Sequence, residues 1–180
     1  MFKFKGQEEA EFKKLLAEFH DHEKIREMEN YPAHGVVSTY HHSVRVAAVS
    51  FMINRRYHLR ADERSLVRGA MLHDFYLYDW HKKEGRKLRD LHGFSHPVSA
   101  LQNAREHFRL NRREENIIRS HMWPLTLLHV PSCREAVIVC IADKICSGQE
   151  TLFYRKKSPE GPCREDYQPG AEKCPDEGEK

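Results

Sequence analysis

The chain has 180 residues and a mass of 21.3 kDa, which is enough for one domain with a sizeable core. Its 30 lysines and arginines nearly balance 27 aspartates and glutamates, so the net charge of +3 gives no reason to expect a specific nucleic-acid partner. Five cysteines, an odd number without CxxC or zinc-finger spacing, argue against a disulfide framework.

No segment has the composition of a signal peptide or a membrane span. The longest apolar run, AVIVCIA at residues 136–142, is far shorter than the ~20 residues that a transmembrane helix needs. The first residues, MFKFKGQEEAEF, contain no apolar stretch of signal-peptide length. We therefore expect a cytoplasmic protein with reduced thiols and no membrane partner.

Residues 7–29 are rich in helix formers and predict one amphipathic helix. Its apolar residues recur at i, i+3, i+4 and i+7, and they are Phe12, Leu15, Leu16 and Phe19. We expect residues 1–29 to form an N-terminal helix that packs on the domain. The His20–Asp21 dipeptide lies among charged residues of this helix and is expected to be exposed to solvent.

Two apolar helices follow the turn signal NYPAHG. Ser38 or Thr39 can cap the first, whose nearly continuous apolar sequence extends over residues 40–59. Asp62 can cap the second, which is predicted over residues 62–79 and includes most of the run GAMLHDFYLYDW at residues 69–80. A second His–Asp dipeptide, His73–Asp74, follows the apolar residues of that helix at helical spacing, so we expect it to face the core.

The rest of the chain predicts three more helices. Residues 81–95 are polar and predict a loop, and Pro97 is expected at the first position of a helix that ends near residue 108. Further helices are predicted over residues 112–122 and 132–153. Strand signals are sparse, so the predicted fold is all-α, a compact single-domain bundle of about six helices in which the N-terminal helix packs on a domain of residues 30–154.

The C-terminal segment, residues 155–180, differs from the rest in composition. It contains four of the eight prolines, many charged residues and almost no apolar ones. Such a sequence cannot offset its ordering entropy by burial, so we expect it to be disordered.

Histidines and aspartates lie on or beside the apolar faces of these predicted helices, in the order His42, His73, Asp74, His96, His121 and Asp143. A buried carboxylate beside a buried imidazole is costly unless each has a partner, and a metal ion is one partner that satisfies both. Each aspartate could instead cap or pair within a bundle. His96 and His121 could instead be hydrogen-bonded core histidines or substrate contacts of a one-metal enzyme.

The order H…HD…H…H…D over about residues 30–150 resembles the HD-domain superfamily of metal-dependent phosphohydrolases. The local sequences HHSVRVA, AMLHDF, HGFSHP, IIRSHMWP and IADKI resemble its sequence blocks in composition and position. The resemblance implies a four-ligand metal core, His42, His73, Asp74 and Asp143. It also implies that His96 and His121 complete a two-metal site, with Asp74 between the ions and His73 and Asp74 as the catalytic pair.

The ligands and the resemblance together indicate a chemistry. Mixed imidazole and carboxylate ligands favour Mn²⁺, Fe²⁺, Co²⁺ or Zn²⁺ over Mg²⁺. Two such ions ~3.5–4 Å apart can activate a water for attack on phosphorus. The expected substrate is a small phosphorylated molecule, nucleotide-like, cleaved as a phosphomonoester or a phosphodiester. His34, Lys82 and Lys144 are candidate contacts to its phosphate.

Two other functions stay open at this point. Some relatives in the superfamily use a similar six-ligand pattern for a di-iron centre that activates O₂, which makes an oxygenase the first alternative. The second is a non-catalytic module that keeps the metal for stability or senses a ligand. A homodimer is compatible with the hydrolase and with both alternatives.

Overall fold

The computed structural model describes residues 3–19, 21–34, 37–78 and 92–154. These residues form an all-α fold, as the sequence predicts, with one short pair of strands. The α-helices are α1 (Glu8–Leu16), α2 (Glu23–Glu27), α3 (Thr39–Arg56), α4 (Glu63–Leu72), α5 (His92–His107), α6 (Arg112–Ser120) and α7 (Arg134–Tyr154). The strands are β1 (Pro32–His34) and β2 (Val37–Ser38), which pair in antiparallel orientation between α2 and α3.

Side-chain caps set the first residues of three central helices. Ser38 accepts a hydrogen bond from the backbone N–H of His41 and begins α3, and Asp62 accepts one from Ser65 at 2.7 Å and begins α4. Both caps confirm the prediction. Asn111 begins α6 with a reciprocal capping box that also uses Glu114.

Helix α3 lies at the centre of the bundle. It packs against α4 and α7, and α6 packs against the same two helices, so the four enclose one apolar core. Phe51 of α3, Leu66 of α4, Ile117 of α6 and Val139 of α7 are among its fully buried side chains. Helix α5 packs on α6 and α4 at one side of this core.

The single helix predicted over residues 7–29 is wrong. The chain instead forms α1, a 3₁₀ turn at Ala17–Phe19, α2 and a second 3₁₀ turn at Met28–Asn30. Phe19 and Ile25 are both buried, and at 100° per residue they would lie about 120° apart around one straight helix. The turn between them brings both side chains to the core.

Helix α4 ends at Leu72, seven residues before its predicted end. The Nδ1–H of His73 donates to the carbonyl of Ala70 at 2.7 Å, an acceptor that the N–H of residue 74 would use in a continued helix. The Phe75 N–H bonds instead to Leu72, three residues back. Asp74 therefore lies in the turn after the helix, and its side chain is buried as predicted.

Helix α5 begins at His92, so the prediction that Pro97 is its first residue is also wrong. The fixed φ of proline suits a helix, but a proline inside it removes one intrahelical hydrogen bond and its ring crowds the carbonyl four residues back. His96 consequently lies within the helix and not at its beginning. The remainder of the predicted loop, residues 81–91, lies outside the described residues.

Two other expectations concern the ends of the chain and membranes. Residues 155–180, predicted to be disordered, lie outside the described part of the chain. Among the helices that the structure describes, none is both long enough and apolar enough to cross a membrane.

The contact between α4 and α6 allows no side chain at Gly69. A Cβ at this position would overlap Cδ1 of Ile117 and lie 3.0 Å from Ile117 Cβ and Cγ2. Gly69→Ala should gain up to ~1 kcal/mol of helix propensity but lose ~1–3 kcal/mol to overpacking, because Ile117 is fully buried. We expect a net decrease in the free energy of unfolding, measured by urea denaturation.

Gly148 of α7 supplies the matched control, because a Cβ there would have no neighbour within 4 Å. Gly148→Ala should leave the free energy of unfolding unchanged or raise it by up to ~1 kcal/mol. Equal effects of the two substitutions would contradict the close approach of α4 and α6.

Candidate metal centre

Five helices or helix ends bring the six predicted ligands together. His42 lies in the first turn of α3, His73 and Asp74 follow the end of α4, and Asp143 lies midway along α7. His96 of α5 and His121, the residue after α6, complete the cluster. All six side chains are buried, and the most accessible is Asp74 at 8%.

Two of the histidines are oriented by helix C-termini. His73 and His121 are the C-caps of α4 and α6, where the last carbonyls have no intrahelical partner. His73 donates from Nδ1 to the Ala70 carbonyl at 2.7 Å, and His121 donates from Nδ1 to the Ile118 carbonyl at 2.8 Å. A carbonyl can only accept, so both rings donate from Nδ1 and direct their Nε2 toward the cluster.

The third histidine, His42, is held at both ring nitrogens by α7. Its Nε2 lies 3.2 Å from Oδ1 of Asp143, and its Nδ1 lies 2.8 Å from Oε2 of Glu150. The sequence analysis missed Glu150. Its position seven residues after Asp143, two turns along the same helix face, is the signal that could have found it.

Asp74 lies between two sets of histidines. Its Oδ2 is 3.5 Å from Nε2 of His73 and 3.9 Å from Nε2 of His42. Its Oδ1 is 3.2 Å from Nε2 of His96 and 3.5 Å from Nε2 of His121. Each carboxylate oxygen therefore faces a different pair of imidazoles.

Ligand atoms close enough to share an ion form two overlapping groups. His42, His73 and Asp143 make one, and His73, Asp74 and His121 make the other, each with its donor atoms within 4.8 Å of one another. His73 belongs to both. His96 is adjacent to the second group, with its Nε2 2.8 Å from that of His121.

Burial and mutual contact shift the pKa values of the cluster. Burial lowers the pKa of His73 to about 4, and it opposes a charge on His42, whose bonds to Asp143 and Glu150 nevertheless raise its pKa to about 10. Burial would raise the pKa of both aspartates, but the neighbouring imidazoles hold the pKa of Asp74 and of Asp143 below the usual range. At neutral pH the centre thus offers two carboxylates and the neutral ring of His73.

The donor set fits a divalent transition metal. His73 Nε2 is a buried ring nitrogen that makes no hydrogen bond, although a lone pair directed into a cluster of carboxylates needs a proton or a cation as partner. Three rings have their Nδ1 held from outside, an arrangement found around metal-ligating histidines. The role of these six residues as ligands stays a prediction.

The remaining candidate residues are placed differently. The ammonium of Lys144 donates to the carbonyls of His121 at 3.0 Å and Cys140 at 3.3 Å, so it supports the backbone beside the centre. Its contact with a substrate stays a prediction. The side chain of His34 and all of Lys82 lie outside the described residues, as does His20, whereas its neighbour Asp21 is exposed and paired with Arg26.

Comparison of the sequence with models of protein families identifies a known domain in this chain. The model of the HD domain matches residues 39–148, about three fifths of the chain. The match includes all six residues of the cluster. Neither the curated proteins nor the solved structures contain a significant match to the chain.

If this cluster binds a divalent metal, the metal should stabilise the protein. An ion at a hundredfold excess over Kd adds about 2.7 kcal/mol to the free energy of unfolding. For a chain of this size that should raise Tm by roughly 5–10 °C on addition of Mn²⁺ or Co²⁺. Asp74→Ala should abolish the shift, and differential scanning fluorimetry measures it.

Asp21→Ala is the control, since it removes an exposed aspartate of the other His–Asp dipeptide. It should keep the full metal-dependent shift. A full shift in Asp74→Ala, with wild-type circular dichroism, would mean that the metal binds elsewhere.

Proposed function

The chain belongs to the HD-domain family, and we propose on that basis that it hydrolyses a phosphomonoester or phosphodiester of a small, nucleotide-like substrate. The family is generally one of metal-dependent phosphohydrolases whose domains bind divalent metals. Its fold is all-helical, as is the described part of this chain.

One observation carries the metal-dependent part of the proposal. The rings of His42, His73 and His121 each have their Nδ1 held by an acceptor outside the cluster, so that three Nε2 atoms face two buried carboxylates. A purely structural core histidine needs no such arrangement, because any bonded orientation would satisfy it. The inward orientation of all three rings is the geometry that a cation site requires.

The residues present would hold two ions more readily than one. His42, His73 and Asp143 are suited to the first, and His96 and His121 to the second, with Asp74 offering one oxygen to each group. When bound, such ions supply a nucleophile from water at neutral pH and neutralise charge on the phosphoryl oxygens. Imidazole nitrogens favour Mn²⁺, Fe²⁺, Co²⁺ or Zn²⁺ over Mg²⁺.

The chain's own side chains bind and orient the reacting groups. Asp74 and His73 are the proposed catalytic pair, because both contribute to the second group and each also faces His42 or Asp143. The site carries two ionised carboxylates, so an anionic phosphate needs the cations before it can approach. The proposal of a nucleotide-like substrate rests on the family resemblance. The candidate contacts to its phosphate are His34, Lys82 and Lys144.

Hydrolysis of aryl phosphates tests the proposal directly. With added Mn²⁺, wild type should release nitrophenol from p-nitrophenyl phosphate or from bis(p-nitrophenyl) phosphate. Asp74→Ala should lower the rate of hydrolysis about a thousandfold or more. The metal stabilises the transition state by several kcal/mol, and each ~1.4 kcal/mol changes the rate tenfold. The preferred ester distinguishes a monoesterase from a diesterase, and Asp21→Ala should retain full activity.

Two outcomes would assign a different function. Oxygen consumption with Fe²⁺ and no ester hydrolysis would indicate the di-iron oxygenase. Tight metal binding with neither activity, over a panel of nucleoside mono- and diphosphates, would indicate the sensing module.

A further inference from the structure

Glu150 is a fully buried carboxylate that is not one of the proposed ligands. One of its oxygens, Oε2, lies 2.8 Å from Nδ1 of His42, and the other, Oε1, lies 3.4 Å from Nη1 of Arg45. Burying a carboxylate is unfavourable unless its oxygens are paired and bonded. Both oxygens of Glu150 have partners, and one of these partners is a proposed metal ligand.

The spacing of these residues joins α3 and α7 around one imidazole. His42 and Arg45 are three residues apart on α3, and Asp143 and Glu150 are seven apart on α7, so each pair lies on one helix face. Asp143 faces Nε2 of His42 and Glu150 faces Nδ1. Helix α7 thus fixes both the rotation and the tilt of the ring.

The group that accepts from Nδ1 of His42 is charged, whereas the groups that accept from Nδ1 of His73 and His121 are neutral. Backbone carbonyls hold Nδ1 of His73 and of His121, whereas a carboxylate holds Nδ1 of His42. A carboxylate acceptor draws the Nδ1 proton more strongly than a carbonyl does, which makes Nε2 the better electron donor. Among these three rings, His42 should therefore be the strongest ligand.

We infer that Glu150 is a positioning residue for metal binding, which acts through His42 and is itself fixed by Arg45. Glu150 keeps the Nδ1 proton of His42 on the outer side, so that Nε2 faces the group formed with His73 and Asp143. The guanidinium of Arg45 balances the carboxylate and limits its rotation. The inference rests on the proposed function, because it requires a metal at that group.

A purely structural role would make different predictions. If Glu150 only joins α3 to α7 through Arg45, then Arg45→Met and Glu150→Gln should lower Tm alike and leave the metal affinity of the folded protein unchanged. If Glu150 acts on the metal through His42, the two substitutions should differ in their effect on metal affinity. Arg45→Met keeps the carboxylate on His42, whereas Glu150→Gln keeps an acceptor oxygen and removes its charge.

The experiment is a titration of the full-length metal-free protein with Co²⁺, followed by calorimetry and by the visible absorption of the bound ion. Glu150→Gln should weaken Co²⁺ binding about tenfold, and Glu150→Ala, which removes the acceptor, about a hundredfold. Arg45→Met should stay within about threefold of wild type. Glu106→Gln, the same change at an exposed glutamate of α5, should bind Co²⁺ as wild type does.

The outcomes separate this inference from the hydrolytic function. If folded Glu150→Gln and Glu150→Ala bind Co²⁺ with wild-type affinity and absorption, the inference is wrong. This holds even if Asp74→Ala abolishes Co²⁺ binding and thereby supports the metal site. Absence of Co²⁺ binding by wild type would overturn both. The graded loss in the Glu150 variants, without hydrolysis of any phosphate ester by wild type, would support the inference and contradict the function.

Discussion

The burial of Asp74 and Asp143 among histidine rings is the constraint on which the rest of the site depends. Each carboxylate has lost most of its contact with water. Its charge is stabilised only if nearby groups replace the hydrogen bonds that water would donate. Ser147 donates to Asp143 at 3.0 Å, and imidazole nitrogens surround both carboxylates. Five helices or helix ends have to meet at one point to supply these groups, and the α3–α4–α6–α7 core holds them there.

The C-terminal ends of two helices orient two of the histidine rings in the centre. The carbonyls of the last turn of a helix have no backbone partner, and a histidine at the C-cap can donate to one of them. His73 and His121 both use this geometry, on different helices, and in both the second ring nitrogen is then directed into the centre. The position where each of these helices ends therefore decides the direction in which its C-cap histidine points. For α4 it also places Asp74 in the following turn, where its two oxygens can face different histidines.

The sequence predicted much of this arrangement, and its errors have physical causes. Caps at Ser38 and Asp62 located the beginnings of α3 and α4 correctly, because these signals act within one turn. The end of α4 was wrong because it depends on a side-chain bond of His73. The break between α1 and α2 was missed because it depends on Phe19 and Ile25 reaching the same core, which only the tertiary structure determines.

The candidate ligands could be chosen from the sequence because polar residues at core spacing are rare and need a reason. Their outer partners are harder to choose. Glu150 lies in the polar second half of α7, on the helix face of Asp143, but only the packing of α7 on α3 gives it a partner 108 positions away in sequence. The Gly69 contact with Ile117 is of the same kind, since close approach of two helices leaves no periodic signal in either.

The outer partners also bear on which cation the centre selects. With Nδ1 of three rings bonded outward, their inward Nε2 atoms are the only ring positions left for an ion. Hard cations such as Mg²⁺ prefer oxygen ligands and retained water, so a centre with several fixed imidazoles disfavours them. If the centre binds two ions as we propose and Glu150 positions His42 as we infer, the two ligand groups are not equivalent. The group containing His42 and Asp143 should then hold its ion more tightly than the group near His96, whose one carboxylate is Asp74.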